Sequence, residues 1–184
     1  GRAYMSSAFR TPEGAKAVRE SYEQLLERWP SPSRRHLVPT SAGETFVIES
    51  GPLDAPAVVL LHGTAANSAM WLSDVAAWTR RFRVFAVDII GDAGLSAFNR
   101  PALDTDAHAR WLDEVLAALS IQHTSLVGIS MGGWLSLDYA TRRPERVQKL
   151  AVINPAGVGE PRNVLIWALP LLMLGRWGRR KMIE

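Results

Sequence analysis

The chain has 184 residues, 47% of them apolar, with a formal charge of +3 and a pI near 9.7. Such a length and apolar share fit one domain, or part of one, with a sizeable core, and exclude a compositionally disordered chain. Acidic and basic residues interleave without a long block of one sign, which argues against a nucleic-acid partner, and zero cysteines exclude disulfides, a thiolate nucleophile and cysteine-based zinc sites.

From Thr11 to Trp29 the apolar residues Val18, Tyr22, Leu25, Leu26 and Trp29 fall on one helical face, and Pro30-Ser31-Pro32 ends the run. Residues 1–33 therefore read as an N-terminal helix and lead-in. Strand-like pieces around His36 to Val38 and Thr45 to Ile48 flank a turn at Ser41-Ala42-Gly43, an antiparallel start to a sheet. Ala57 to Leu61 is apolar throughout, as a strand covered on both faces should be. A helix is expected from Ser68 to Arg81, then a buried strand from Arg83 to Val87 ending at Asp88, and a Gly-rich loop to Pro101.

Trp111, Leu112, Val115, Leu116 and Leu119 predict an amphipathic helix over Thr105 to Leu119, with His108 near its start and at the surface. A strand at Ser125-Leu126-Val127, a helix closed by Pro144 and a strand from Val147 to Ile153 follow. Repeated strand-helix-strand units predict an α/β fold, a mainly parallel sheet flanked by helices, with its core at residues 34–160. Residues 161–184 read as the start of a helical lid. Their apolar stretch, Val164 to Leu174, is broken by Pro170 and falls short of the roughly 20 residues a bilayer requires, so no membrane span is expected.

The chemistry centres on Gly128-Ile129-Ser130-Met131-Gly132, set between a strand and a helix. A serine hydroxyl becomes a useful nucleophile when a sharp turn holds it clear of its own backbone, and small residues two before and two after allow that turn. Ser130 is the expected catalytic nucleophile. Upstream, His62-Gly63-Thr64-Ala65-Ala66 directly follows an apolar strand, at the end where open α/β sheets place ligands. Acyl transfer develops negative charge on a carbonyl oxygen, and backbone N–H groups aimed there stabilise it. Thr64 and Met131 are the expected oxyanion-hole donors; His62 reads as packing beneath its loop rather than as a base.

With the His62-Gly63 loop, Trp71, the run from Asp88 through Gly91, Asp92 and Gly94 to Ser96, the Ser130 elbow and Arg143-Pro144-Glu145-Arg146-Val147 in that order, the chain resembles the α/β-hydrolase superfamily. The resemblance is to its carboxylesterase-like members with a lid and covers residues 35–160. It implies hydrolysis of an ester-like acyl substrate through an acyl-enzyme, and a serine at the elbow argues against the branches with an aspartate nucleophile. In that superfamily an acid and then a histidine follow the serine. Here no histidine follows Ser130, and none of Asp138, Glu145, Glu160 and Glu184 is a convincing triad acid. His123 should lie at the opposite end of the elbow strand, and His36 lies in the first strands.

The sequence therefore predicts the N-terminal part of a longer hydrolase, lacking the last core strands, whose acid and histidine come from a complementary C-terminal segment. By itself this chain is expected to be inactive. Two uses of the apolar tail stay open: Trp167 and Leu169 line a pocket for a small apolar ester, or they pack against the remaining half. A degenerate scaffold that binds an apolar small molecule or a protein is the competing reading. No cofactor and no metal are expected, since no His/Asp/Glu ligand set or dinucleotide fingerprint is present, and the cysteine-free composition fits the cytoplasm.

Overall fold

A computed structural model describes residues 11–157; the calls on Trp167, Leu169 and the lid fall outside the described residues. Six strands form one sheet in the order β1-β2-β4-β3-β5-β6. They are β1 (Ser33–Val38), β2 (Thr45–Ser50), β3 (Ala57–Leu61), β4 (Arg83–Val87), β5 (Thr124–Ile129) and β6 (Val147–Ile153). β1 and β2 pair antiparallel, β2 meets β4 antiparallel, and the rest of the sheet is parallel.

Alternation along each strand divides the core into two layers. Val47, Val59, Leu61, Phe85 and Val87 point to one face, where helices α3 (Ala107–Ala118) and α4 (Met131–Arg142) cover them with Trp111, Leu112, Val115, Leu135 and Tyr139. Phe46, Ile48, Val58, Leu60, Val84 and Ala86 point to the other, beneath Tyr22 and Leu26 of α1 (Pro12–Glu27) and Val75 of the single-turn α2 (Val75–Trp78). A fully buried Leu, Val or Phe contributes about 1.5–3 kcal/mol relative to exposure, so these layers carry most of the stabilisation. Polar ties add direction. The Trp111 indole donates to Thr45 Oγ1 at 2.7 Å, while Tyr139 Oη and Arg143 Nε both donate to Asp113, each at 2.8 Å, joining α3 to α4.

α1 begins where Thr11 Oγ1 accepts the Gly14 N–H at 3.0 Å and Pro12 occupies the first turn, a position that needs no N–H. Its buried stripe is Ala15, Tyr22 and Leu26, whereas Val18 and Leu25, expected on that face, are 41% and 37% exposed. The helix rests on the sheet along a narrower seam than its apolar residues suggest. The helix expected from Ser68 to Arg81 is also corrected: a 3-10 turn at Ser68–Trp71 and α2 stand there instead. Ser68 gives both its N–H and its hydroxyl to the buried Asp88, which ties that first turn to β4 rather than to a continuous helix.

The register fixes where chemistry can occur. Leu61 pairs with both Val87 and Gly128, and Ile129 with Ile153, so the chain leaves β3, β4, β5 and β6 at one end of the sheet. His62, Asp88, Ser130 and Asn154 are the next residues in turn. Between β3 and β5 the connections diverge, the chain having gone from β3 to β4 on one side before crossing to β5 on the other. Such a switch point opens a crevice at the carboxyl ends of the strands.

Candidate active site

Ser130 sits between β5 and α4 with φ 52° and ψ −112°, a conformation that a non-glycine residue holds only when its surroundings impose it. Those surroundings are visible. The Ser130 N–H donates to the Ile153 carbonyl at 2.9 Å, and the Ser130 carbonyl accepts from Trp134 and Ala156, each at 3.0 Å. The loop after β6 thus clamps the elbow peptide from outside while α4 holds it from within. Both flanking glycines are sterically required: a Cβ on Gly128 would overlap the Gly132 carbonyl, and one on Gly132 would overlap the carbonyls of Leu61 and His62. Among the described residues no side chain hydrogen-bonds the Ser130 hydroxyl.

The His62 loop passes directly beside this turn. A Cβ built on Gly63 would stand 3.5 Å from Ser130 Cβ, and the His62 carbonyl accepts the Gly132 N–H at 3.1 Å. The fully buried His62 ring uses both nitrogens, Nδ1 donating to the Gly63 carbonyl at 2.8 Å and Nε2 accepting the Ile89 N–H at 2.9 Å. It packs under the loop and has no nitrogen left to receive a proton from Ser130. Ala65 takes a positive φ of 57°, and its N–H donates to Asp92 at 3.0 Å, which fixes the peptide after Thr64. Among the described residues neither the Thr64 N–H nor the Met131 N–H has an acceptor. The two residues share a cavity of about 230 Å³ whose other walls include Ile89, Ile90, Leu103 and His108.

Asp88 anchors the next loop. Its carboxylate accepts from Tyr22 Oη at 2.9 Å, from the Ser68 N–H and hydroxyl at 2.9 and 2.7 Å, and from the Leu95 N–H at 2.8 Å. Burial, reinforced by the adjacent Asp88 charge, pushes the Tyr22 phenol far above its ordinary pKa, so it remains a donor. Asp92 lines the cavity with Arg100, whose Nη2 lies 3.7 Å away and whose Nε donates to the Gly91 carbonyl. Among the described residues no group of three or more His, Cys, Asp or Glu could hold a metal ion, and no helix is long and apolar enough to cross a membrane.

His108 is not at the surface as expected; it is 5% exposed and packs edge-to-face on Trp134 with ring centroids 6.3 Å apart. The signal was present in the sequence, because positions 108, 111, 112 and 115 share one helical face. Burial lowers the pKa of this imidazole, against the opposing pull of the Asp138 charge. His36 is elsewhere, its Nε2 2.7 Å from Glu49, and His123 precedes the start of β5, at the opposite end from Ser130. Asp138 pairs with Arg142 at 2.8 Å.

The fold has counterparts among known proteins. The family model described as alpha/beta hydrolase fold matches residues 56–182, and the chain belongs to that family. Within it, the chain is 41% identical over 152 residues to carboxylesterase YbfK of Bacillus subtilis, covering 82% of this chain and 51% of that protein. It is 38% identical over 137 residues to the uncharacterized carboxylesterase nap of the same organism, covering 74% of this chain and 46% of that one. The crystal structure of naproxen esterase from Bacillus subtilis superposes with a TM-score of 0.76 at 33% identity, over 93% of this chain and 60% of that structure. The chain spans about half the length of the curated relatives it matches. Both curated relatives are named carboxylesterases.

Proposed function

We propose that this chain is the nucleophile-bearing portion of a serine carboxylesterase. Ser130 Oγ attacks the ester carbonyl carbon, the Thr64 and Met131 amides receive the developing oxyanion, and the alcohol leaves with a proton as the acyl-enzyme forms; water then releases the acid. The histidine and acid that move those protons come from a C-terminal segment outside this chain, following further core strands. In this reading residues 34–160 form the first part of the core, the lid begins near residue 161, and Trp167 and Leu169 contact an apolar ester. The protein works in the cytoplasm without a cofactor.

The observation that carries the reading is that Thr64 and Met131, whose N–H groups have no acceptor among the described residues, line one cavity, and that Met131 directly follows the strained Ser130. Hydrolysis of naproxen esters is named for one structural relative, and aromatic esters of that size are a reasonable first panel here. A fluorophosphonate probe applied to the full-length protein should label it covalently, and Ser130→Ala should abolish both labelling and ester turnover. The 184-residue chain alone should turn over no ester. Absence of labelling in the full-length protein would favour a binding scaffold.

A further inference from the structure

We propose that His108 is a specificity-determining residue that donates a hydrogen bond from Nε2 to a neutral acceptor on the substrate. The inference rests on the esterase reading and adds a substrate class to it: esters carrying an ether or carbonyl oxygen in the part that fills the cavity lined by Thr64 and Met131.

The placement of the ring provides the first step. His108 is nine-tenths buried, lines that cavity, and is held edge-on against Trp134, which lies one turn beyond Ser130 on α4. Its Nδ1 is sealed from solvent and has no hydrogen-bond partner. A buried N–H without an acceptor is among the rarest unsatisfied groups in proteins, whereas a bare lone pair is tolerated more often. The proton of the neutral ring therefore resides on Nε2. That nitrogen has no partner among the described residues, and the ring lines the cavity, so it is the ring atom left for a ligand there.

The remaining polar wall of the cavity narrows the ligand. Asp92 is engaged by the Ala65 N–H and approached by Arg100, and Arg100 Nε is engaged by the Gly91 carbonyl. Of the cavity's other side-chain donors, the outer Arg100 nitrogens and the Thr64 hydroxyl belong to exposed residues, and His108 Nε2 is the donor on a buried one. The rest is Ile89, Ile90, Pro101 and Leu103, apolar surface that favours a hydrocarbon body. A neutral imidazole has no charge to attract an anion, and the Arg100 charge in the same wall is answered by Asp92, so the acceptor is an uncharged oxygen.

The test uses the full-length protein and two series of esters matched in chain length. One series replaces single methylenes of p-nitrophenyl hexanoate by oxygen; the other does so in the alcohol chain of a hexyl ester. In one series, one oxygen position should raise kcat/KM about three- to tenfold over the all-carbon parent, the scale of one net hydrogen bond. His108→Leu should bring that ratio to about one, and His108→Gln, which keeps a donor, should retain part of it. Equal rates for all members of both series in the wild-type protein would overturn the inference, as would a preference that survives His108→Leu. Should His108→Leu not fold, the nitrogen resonances of wild-type His108 decide, with the proton on Nε2 supporting the inference and on Nδ1 overturning it. Failure of the all-carbon parents themselves to be hydrolysed would refute the esterase reading, a result distinct from equal rates.

Discussion

At one edge of the sheet β1 presents Arg34, Arg35 and His36; at the other β6 presents Leu150 and Ile153, which are 38% and 49% exposed. β1 has an apolar residue in the open as well, Leu37, but its charges suit a strand that ends a sheet in water. Behind it the buried Glu49 accepts from Arg83 Nε and meets His36 Nε2, each at 2.7 Å, so the antiparallel side is closed by an ionic cluster. β6 has Lys149 as its one cation, and its last residue and the loop that follows it hold Ser130 through the Ile153 carbonyl and the Ala156 N–H. The closed edge stabilises the fold, and the open edge is the one connected to the site.

The sharpest test of this contrast is Leu150→Lys in the full-length protein. If a neighbouring element covers β6 there, an unpaired buried ammonium should cost about 3 kcal/mol or more in denaturant unfolding. A change within about 0.5 kcal/mol would make the two edges equivalent and break the comparison.

Next in size is Glu49→Gln, which leaves Arg83 and His36 without their carboxylate and should cost about 1–3 kcal/mol. Burial alone would raise the Glu49 pKa, but the hydrogen bonds and charges of Arg83 and His36 outweigh it and hold the carboxyl below its ordinary value. A depressed carboxylate contributes stability fully above its unfolded pKa of about 4.3 and loses it as pH falls through the lower folded value. The gap between wild type and Glu49→Gln should therefore close in acid, and a gap that widens there would refute the ionic cluster. Smallest is Leu37→Lys on the 61% exposed β1 position, expected to stay within about 0.5 kcal/mol by the same unfolding measurement.

Much of this arrangement was legible from residue order. β3 and β4 are near-continuous apolar runs because both faces are covered, and the elbow announces itself because backbone carbonyls leave no room for side chains at Gly128 and Gly132. His62 was readable as a packing residue from its place after β3. Less legible were features that depend on distant partners. The break between Ser68–Trp71 and α2 accompanies a carboxylate at Asp88, and the exposure of Val18 and Leu25 reflects how few residues of α1 the core covers, which its own periodicity does not encode. His108 was misplaced because a polar residue on an apolar face reads as an exception, when the spacing to Trp111 and Leu112 was the better guide. Asp92 entered the reading only as part of the run that follows β4; its bond to Ala65 is a contact between two loops that no local pattern announces.

The bond from Tyr22 to Asp88 spans 66 residues of sequence. During synthesis at roughly 5–20 residues per second, α1 is made roughly 3–13 s before the carboxylate that anchors it. Through that interval Tyr22 and Leu26 have no sheet to rest on, since most of their packing partners are also downstream. The first described helix thus waits on residues made long after it, and the nascent protein has an apolar stripe to shield until β4 is complete.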